Sequence, residues 1–184
     1  MPAARSGILR IMPARDQQPA TPETSINSPE RLQFEAFLNE HRLALNACLD
    51  GLTEEQARRR LVASRTTLLG LVKHVTFVER VWFDEAITAR PRMEIGIPDS
   101  PDESFILAPE DSIASVRELH RQACAASAEA TAALDLTDLL PGNRRGPLPL
   151  RWVYLHMIRE LARHCGHADI LREQILAADT NPPS

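Results

Sequence analysis

What the chain lacks narrows its chemistry. Its three cysteines, Cys48, Cys124 and Cys165, are an odd number, lie far apart and form no CxxC. That pattern excludes a zinc ribbon and a dithiol redox pair. Free thiols and a cytoplasmic location are the expectation. The N-terminus has no apolar run of the kind that heads a secretory signal. No apolar stretch is long enough to cross a bilayer, so no membrane partner is expected. Basic charge is outweighed: 21 Lys and Arg stand against 25 Asp and Glu, a formal net charge of −4. Nucleic acid is therefore not an expected partner, and no nucleic-acid-binding residue is assigned. Lysine is almost absent, with Lys73 the only one, and aromatics make up 4% of the chain. Trp82 and Trp152 read first as core packing. HExxH, the helix motif of metalloproteases, does not occur. The Glu-x-x-His pair of di-iron bundles fails as well, because Arg163 stands three residues after Glu160.

What is present is a helical chain of one domain. Hydrophobic residues are 43% of 184, enough for one core. Residues 1–28, rich in Pro, Ala, Ser, Thr and Gln, read as a disordered leader, and Met12 is an alternative start. Ser28-Pro29 opens a first helix, Pro29 to Leu49, with Phe34, Leu38, His41 and Leu45 on its inner row. Thr53-Glu54-Glu55-Gln56 caps a short helix to about Arg60. A second long helix, capped from Ser64 to Thr67, runs to Ala89. On it His74 lines up with Leu71, Val78 and Val81. Gly70, one turn earlier, implies close approach of a neighbouring helix or of something bound, since a mid-helix glycine costs about 1 kcal/mol against alanine. The Pro-broken stretch Arg90 to Glu110 reads as a long crossover loop. Asp111-Ser112 caps a third helix to about Leu134, and Asp138 to Pro149 is another loop. The fourth helix, Leu148 to Ala177, precedes a frayed tail, 178–184. The fold expected is all-α: a four-helix bundle over 29–177 with a long crossover between helices 2 and 3.

The fourth helix carries the chemistry. At about 100° per residue, His156, Glu160, His164 and His167 share one stripe with Val153, Met157 and Leu171. Such a stripe should face inward, and buried imidazoles and a carboxylate need a partner. Glu160 and His164, four apart, reach one point. His74, the only histidine of helix 2, is the third candidate. A His-Glu-His set leaves a coordination position open, as in catalytic zinc sites. The competing reading is a hydrogen-bonded polar cluster without metal. His167 is a fourth ligand, a hydrogen-bond partner or a proton-transfer group. His156, two turns before His164, reads as structural, His41 as pocket or core, and His120 as surface. Cys165 points away from the ligand row. Arg144 and Arg145 sit in a loop that would suit a carboxylate-bearing thiol or simply face solvent.

TTLLGLVKHVTFVERVWF and LRWVYLHMIRELARHCGHADILRE together resemble the DinB-like superfamily, in the actinobacterial branch related to mycothiol-dependent maleylpyruvate isomerase. The resemblance spans residues 29 to 177. It implies a four-helix bundle, often a homodimer, holding a divalent ion at His74, Glu160 and His164. Zinc is the first expectation, with nickel and iron also compatible. It further implies mycothiol as co-substrate, a small-molecule thiol attacking an electrophile. His41, Trp82 and Gly70 are candidates for the pocket lining. Because the extra domain of the isomerase is lacking, a thiol S-transferase is expected. The alternatives are a non-catalytic, stress-associated metal-binding bundle and a metal-dependent hydrolase, the latter needing His167 as general base.

Overall fold

The structure, a computed structural model, describes residues 20–180. Residues 1–19 of the expected leader and 181–184 of the expected tail lie outside the described residues, while 178–180 continue the last helix. Residues 20–28 are ordered around a 3-10 turn, Glu23–Ser25, whose serine is buried.

Four long helices build the bundle: α1 (Glu30–Ala47), α3 (Leu68–Arg80), α6 (Ile113–Thr131) and α7 (Leu150–Thr180). α1 packs chiefly on α7, and α3 on α6. Among the described residues the protein is all-α apart from one two-residue ladder, β1 (Leu139–Leu140) against β2 (Leu148–Pro149), which closes the loop before α7. The core lies where the apolar rows meet: Leu38 and Leu45 of α1, Leu71 and Val75 of α3, Val116 of α6, and Met157, Leu161 and Ile175 of α7.

Local chemistry sets the ends. Thr67 Oγ1 accepts from Gly70 N–H and starts α3. Thr53 with Gln56 forms a capping box on the short α2 (Glu54–Arg58), and Ser112 with Ser115 does the same on α6. The first helix differs from the expected Ser28 cap: Pro29 is the cap residue, with no side-chain hydrogen bond. α3 continues into a π-helical turn, Val81–Glu85, and a short α4 (Ala86–Thr88). The crossover is not wholly irregular either. It contains α5 (Arg92–Ile95) and a 3-10 turn, Glu103–Phe105.

Two glycines report close backbone approach. A Cβ on Gly70 would stand 3.1 Å from the Phe105 carbonyl oxygen, so the crossover lies directly on α3 there. A Cβ on Gly142 would stand 1.9 Å from the Glu85 carbonyl oxygen. Gly142 N–H donates instead to Ala86 O at 2.8 Å, pinning the β1–β2 loop to the end of the α3–α4 helix.

His120 is the clearest correction to the sequence reading. It is fully buried, not a surface residue. Val116, His120, Ala123 and Ser127 form one inward row on α6, and Asn46 Nδ2 lies 2.6 Å from His120 Nδ1. Nearby, Glu79 is fully buried and bound by Arg42 through two hydrogen bonds of 2.8 and 2.7 Å. Ser127 Oγ donates to the same carboxylate at 2.8 Å. This network ties α1, α3 and α6 together inside the bundle.

Candidate metal centre

His74 comes from the middle of α3, and Glu160 and His164 from adjacent turns of α7. One ligating atom from each lies within 4.8 Å of the others. Among the described residues this is the one group of three or more His, Cys, Asp or Glu side chains so arranged. His74 and His164 are buried and Glu160 is half-buried. The two imidazoles meet edge to face, with centroids 4.8 Å apart.

His74 is held from behind. Its Nδ1 lies 2.7 Å from Ser104 Oγ, and that hydroxyl donates to Pro101 O at 2.5 Å. With the hydroxyl proton already used, Nδ1 must carry the ring proton. Nε2 is then left with a free lone pair. Phe105 stacks on the ring at 4.0 Å and 13°. Burial, and then the neighbouring His164, push the His74 pKa down to about 4. The ring is therefore neutral at physiological pH, as a metal ligand must be.

His164 is the test of fit. Its Nε2 sits 3.3 Å from Glu160 Oε1, while its Nδ1 is buried with no hydrogen-bond partner. A neutral ring carries one proton. If Nδ1 holds it, a lone pair on Nε2 faces a carboxylate oxygen. If Nε2 holds it, the lone pair on Nδ1 is stranded. A cation between Nε2 and Oε1 removes the first conflict. The 3.3 Å spacing also matches adjacent ligands of a tetrahedral ion, about 3.3 Å apart for bonds of about 2.0–2.1 Å. Glu160 is held at about 2, first by the hydrogen bond to His164 and then by nearby positive charge, against the effect of burial. The donor set thus fits a divalent ion. His74, Glu160 and His164 are the residues that would hold it.

A cleft of about 1090 Å³, measured out to open solvent, leads to this point. His74 and Glu160 line it at the ligand end, Trp82 and Phe77 along its wall, and Asn143, Arg144 and Arg145 at the β1–β2 loop. Trp82 packs at 4.2 Å from the ring of His156, which also stacks on Trp152 at 5.1 Å. Trp152 is 38% exposed and so is not core.

The predicted stripe on α7 is displaced. Buried positions are Leu150, Val153, Tyr154, Met157, Leu161, His164, Ala168, Leu171 and Ile175. His156, Glu160 and His167 therefore flank the buried face, roughly 60° or more from its centre at about 100° per residue. His167 is exposed, its ring 5.6 Å from that of His164. His41 is half-buried on α1, away from this cleft, where its carbonyl faces Cys165 Sγ at 3.7 Å. Gly70 is buried against Phe105 and Thr67 and does not line the cleft. Ser104 and Phe105, which orient His74, were not identified from sequence. They lie in the Pro-rich crossover, where no periodicity marks an inward side chain.

The cysteines offer no nucleophile. Burial pushes Cys48 and Cys124 up to about 12 and Cys165 up to about 11. None lines the cleft.

A family model described as MST, mycothiol-S-transferase, matches residues 33–177, from early α1 almost to the end of α7. No curated protein matches the sequence.

Proposed function

The chain belongs to the mycothiol-S-transferase family, and from that premise we propose a metal-dependent thiol transferase acting in the cleft beside His74, Glu160 and His164. The convergence of these three side chains at the end of an open cleft is the observation that carries the proposal. A divalent ion there, zinc first and nickel or iron as alternatives, supplies the lowered thiol pKa that yields a nucleophile at neutral pH. The co-substrate is a low-molecular-weight thiol of the mycothiol type.

The protein's own part is positional. Ser104 and Phe105 hold the His74 ring with Nδ1 engaged, which leaves Nε2 as the atom to ligate the ion. Glu160 adds one negative charge. The ligand set then offsets only part of a divalent charge, which favours an anionic sulfur. Trp82, Phe77 and Val78 offer the electrophile an apolar wall. In the reaction the thiol gives up its proton to solvent. Sulfur forms a bond to the electrophilic carbon, and the leaving group departs with its electron pair. The high thiol pKa values of Cys48, Cys124 and Cys165 support a nucleophile brought from outside. The proposal keeps His167 at the exposed rim, outside the ligand set. It includes a cytoplasmic homodimer, for which light scattering should report twice the mass of one chain.

The test is consumption of an alkylating electrophile by zinc-loaded protein with and without mycothiol. Turnover should require the thiol and fall at least about 100-fold in His74→Ala, whose helix content is checked by circular dichroism. Equal rates without thiol, or in a folded His74→Ala, would refute the proposal.

A further inference from the structure

The β1–β2 loop is a built element. The two-residue ladder closes it, Gly142 N–H anchors it to Ala86 O, and the missing Cβ of Gly142 lets it lie on Glu85. Its tip is shaped by a hydrogen bond from Arg145 N–H to Asn143 Oδ1 at 3.0 Å, and by Gly146 at φ 93°. This pinned tip brings Arg144 and Arg145 to the cleft that ends at His74 and Glu160. Both side chains are exposed, and neither guanidinium has an ion pair or hydrogen bond among the described residues. The contrast with Arg92 across the same lining is informative. Arg92 is occupied by Glu85, at 3.1 Å to both carboxylate oxygens.

Two free guanidiniums on a fixed loop, at one end of an apolar wall, are a recognition arrangement. Arginine binds carboxylates through a planar fork. The wall beside it is flat and aromatic: Trp82 packs on His156, and Phe77 lies nearby. Positive charge at the mouth of a low-dielectric cleft also steers anions inward. We propose that Arg144 and Arg145 form a carboxylate clamp, so that the electrophile taken by this cleft is an acid with a flat apolar body. The clamp grips the carboxylate at the loop while the body lies along Trp82 and Phe77. The electrophilic carbon then points toward the ligand end. This rests on the reading of the cleft as the transferase site. It assigns the arginines to the electrophile and not to the thiol.

Trp82 and Trp152 are the only tryptophans of the chain and pack 5.6 Å apart beside this cleft. Intrinsic fluorescence therefore reports on the cleft without any turnover. Cinnamate and its neutral amide, cinnamamide, are titrated into zinc-loaded protein. The wild type should bind cinnamate at least about tenfold more tightly than the amide. Arg144→Gln with Arg145→Gln should abolish that preference and leave amide binding unchanged. A saturating amount of mycothiol should leave cinnamate binding in place. A preference that survives the double substitution would assign the carboxylate to the metal and overturn the clamp. Displacement of cinnamate by the thiol would assign the arginines to the thiol and overturn it equally. Because binding is read without reaction, an inactive protein that still prefers the acid through these arginines would refute only the transferase reading.

Discussion

His74 depends on a serine 30 residues further along the chain. Removing a hydrogen bond behind a metal-ligating histidine typically costs about 10–100-fold in affinity. Ser104→Ala should therefore weaken zinc binding by that factor with the helix content unchanged, as competition against a chelating dye would measure. An unchanged affinity would mean that Phe105 alone orients the ring. His120 carries a second expectation. Burial lowers its pKa from 6.5 to about 4, with Glu79 opposing that shift and Arg42 adding to it. The unfolded chain thus binds the extra proton first. Stability from this residue is fully present above pH 6.5 and is lost as pH falls toward 4, to an extent of ~3 kcal/mol. Urea midpoints at pH 7.5 and pH 5 should differ less in His120→Gln than in the wild type. At this scale the proximity of the three candidate ligands could be read from sequence, because helical spacing links Glu160 to His164 and an apolar row marks His74. His120 does not read as inward from sequence because, after Val116, the row continues with Ala123 and Ser127, which are small or polar and give little hydrophobic signal. Ser104 was missed because only the folded crossover brings it to His74.

At the scale of elements, the loops do more than the prolines and glycines in them suggest. Gly142→Ala would place a methyl group against the Glu85 carbonyl at 1.9 Å, which backbone on both sides prevents. The substitution should destabilise the protein by ~1–3 kcal/mol and displace the β1–β2 loop. Thermal melting reads the first effect, and the altered tryptophan emission of Trp82 and Trp152 the second. A melting temperature equal to the wild type would show that the loop is not pinned there. The helices themselves were largely legible, from Thr53, Thr67 and Ser112 as caps and from the 3.6-residue apolar rows. The inward face of α7 was placed too near its histidines, because Leu161, Ala168 and Ile175 set it. The π turn at Val81–Glu85 left no mark in the sequence pattern. It lies next to the cleft and carries Trp82, consistent with the placement of such turns at functional sites.

Across the whole molecule, two cross-helix constellations occupy different parts of the bundle. One is the His-Glu-His centre between α3 and α7. The other is the Arg42–Glu79–Ser127 network joining α1, α3 and α6. The second was not anticipated, because a lone Arg and a lone Glu on separate helices look like surface charge until the helices pack. Arg42→Met would leave the fully buried Glu79 unpaired, a loss of ~3–5 kcal/mol in denaturant unfolding. Adding Glu79→Leu should recover most of it, since an apolar pair of similar volume replaces both charges. A double variant as unstable as Arg42→Met would mean that the network is needed for packing itself. The His-Glu-His centre has no such apolar substitute, because the His164 Nε2 that faces Glu160 Oε1 and the cleft that ends there both suit a ligand. The most direct measurement is zinc stoichiometry by elemental analysis after chelator stripping and reloading, on the wild type and on folded His74→Ala and Glu160→Ala. One ion per chain, lost in both variants, is the predicted result. No ion in the wild type, or one retained equally in both variants, would contradict it.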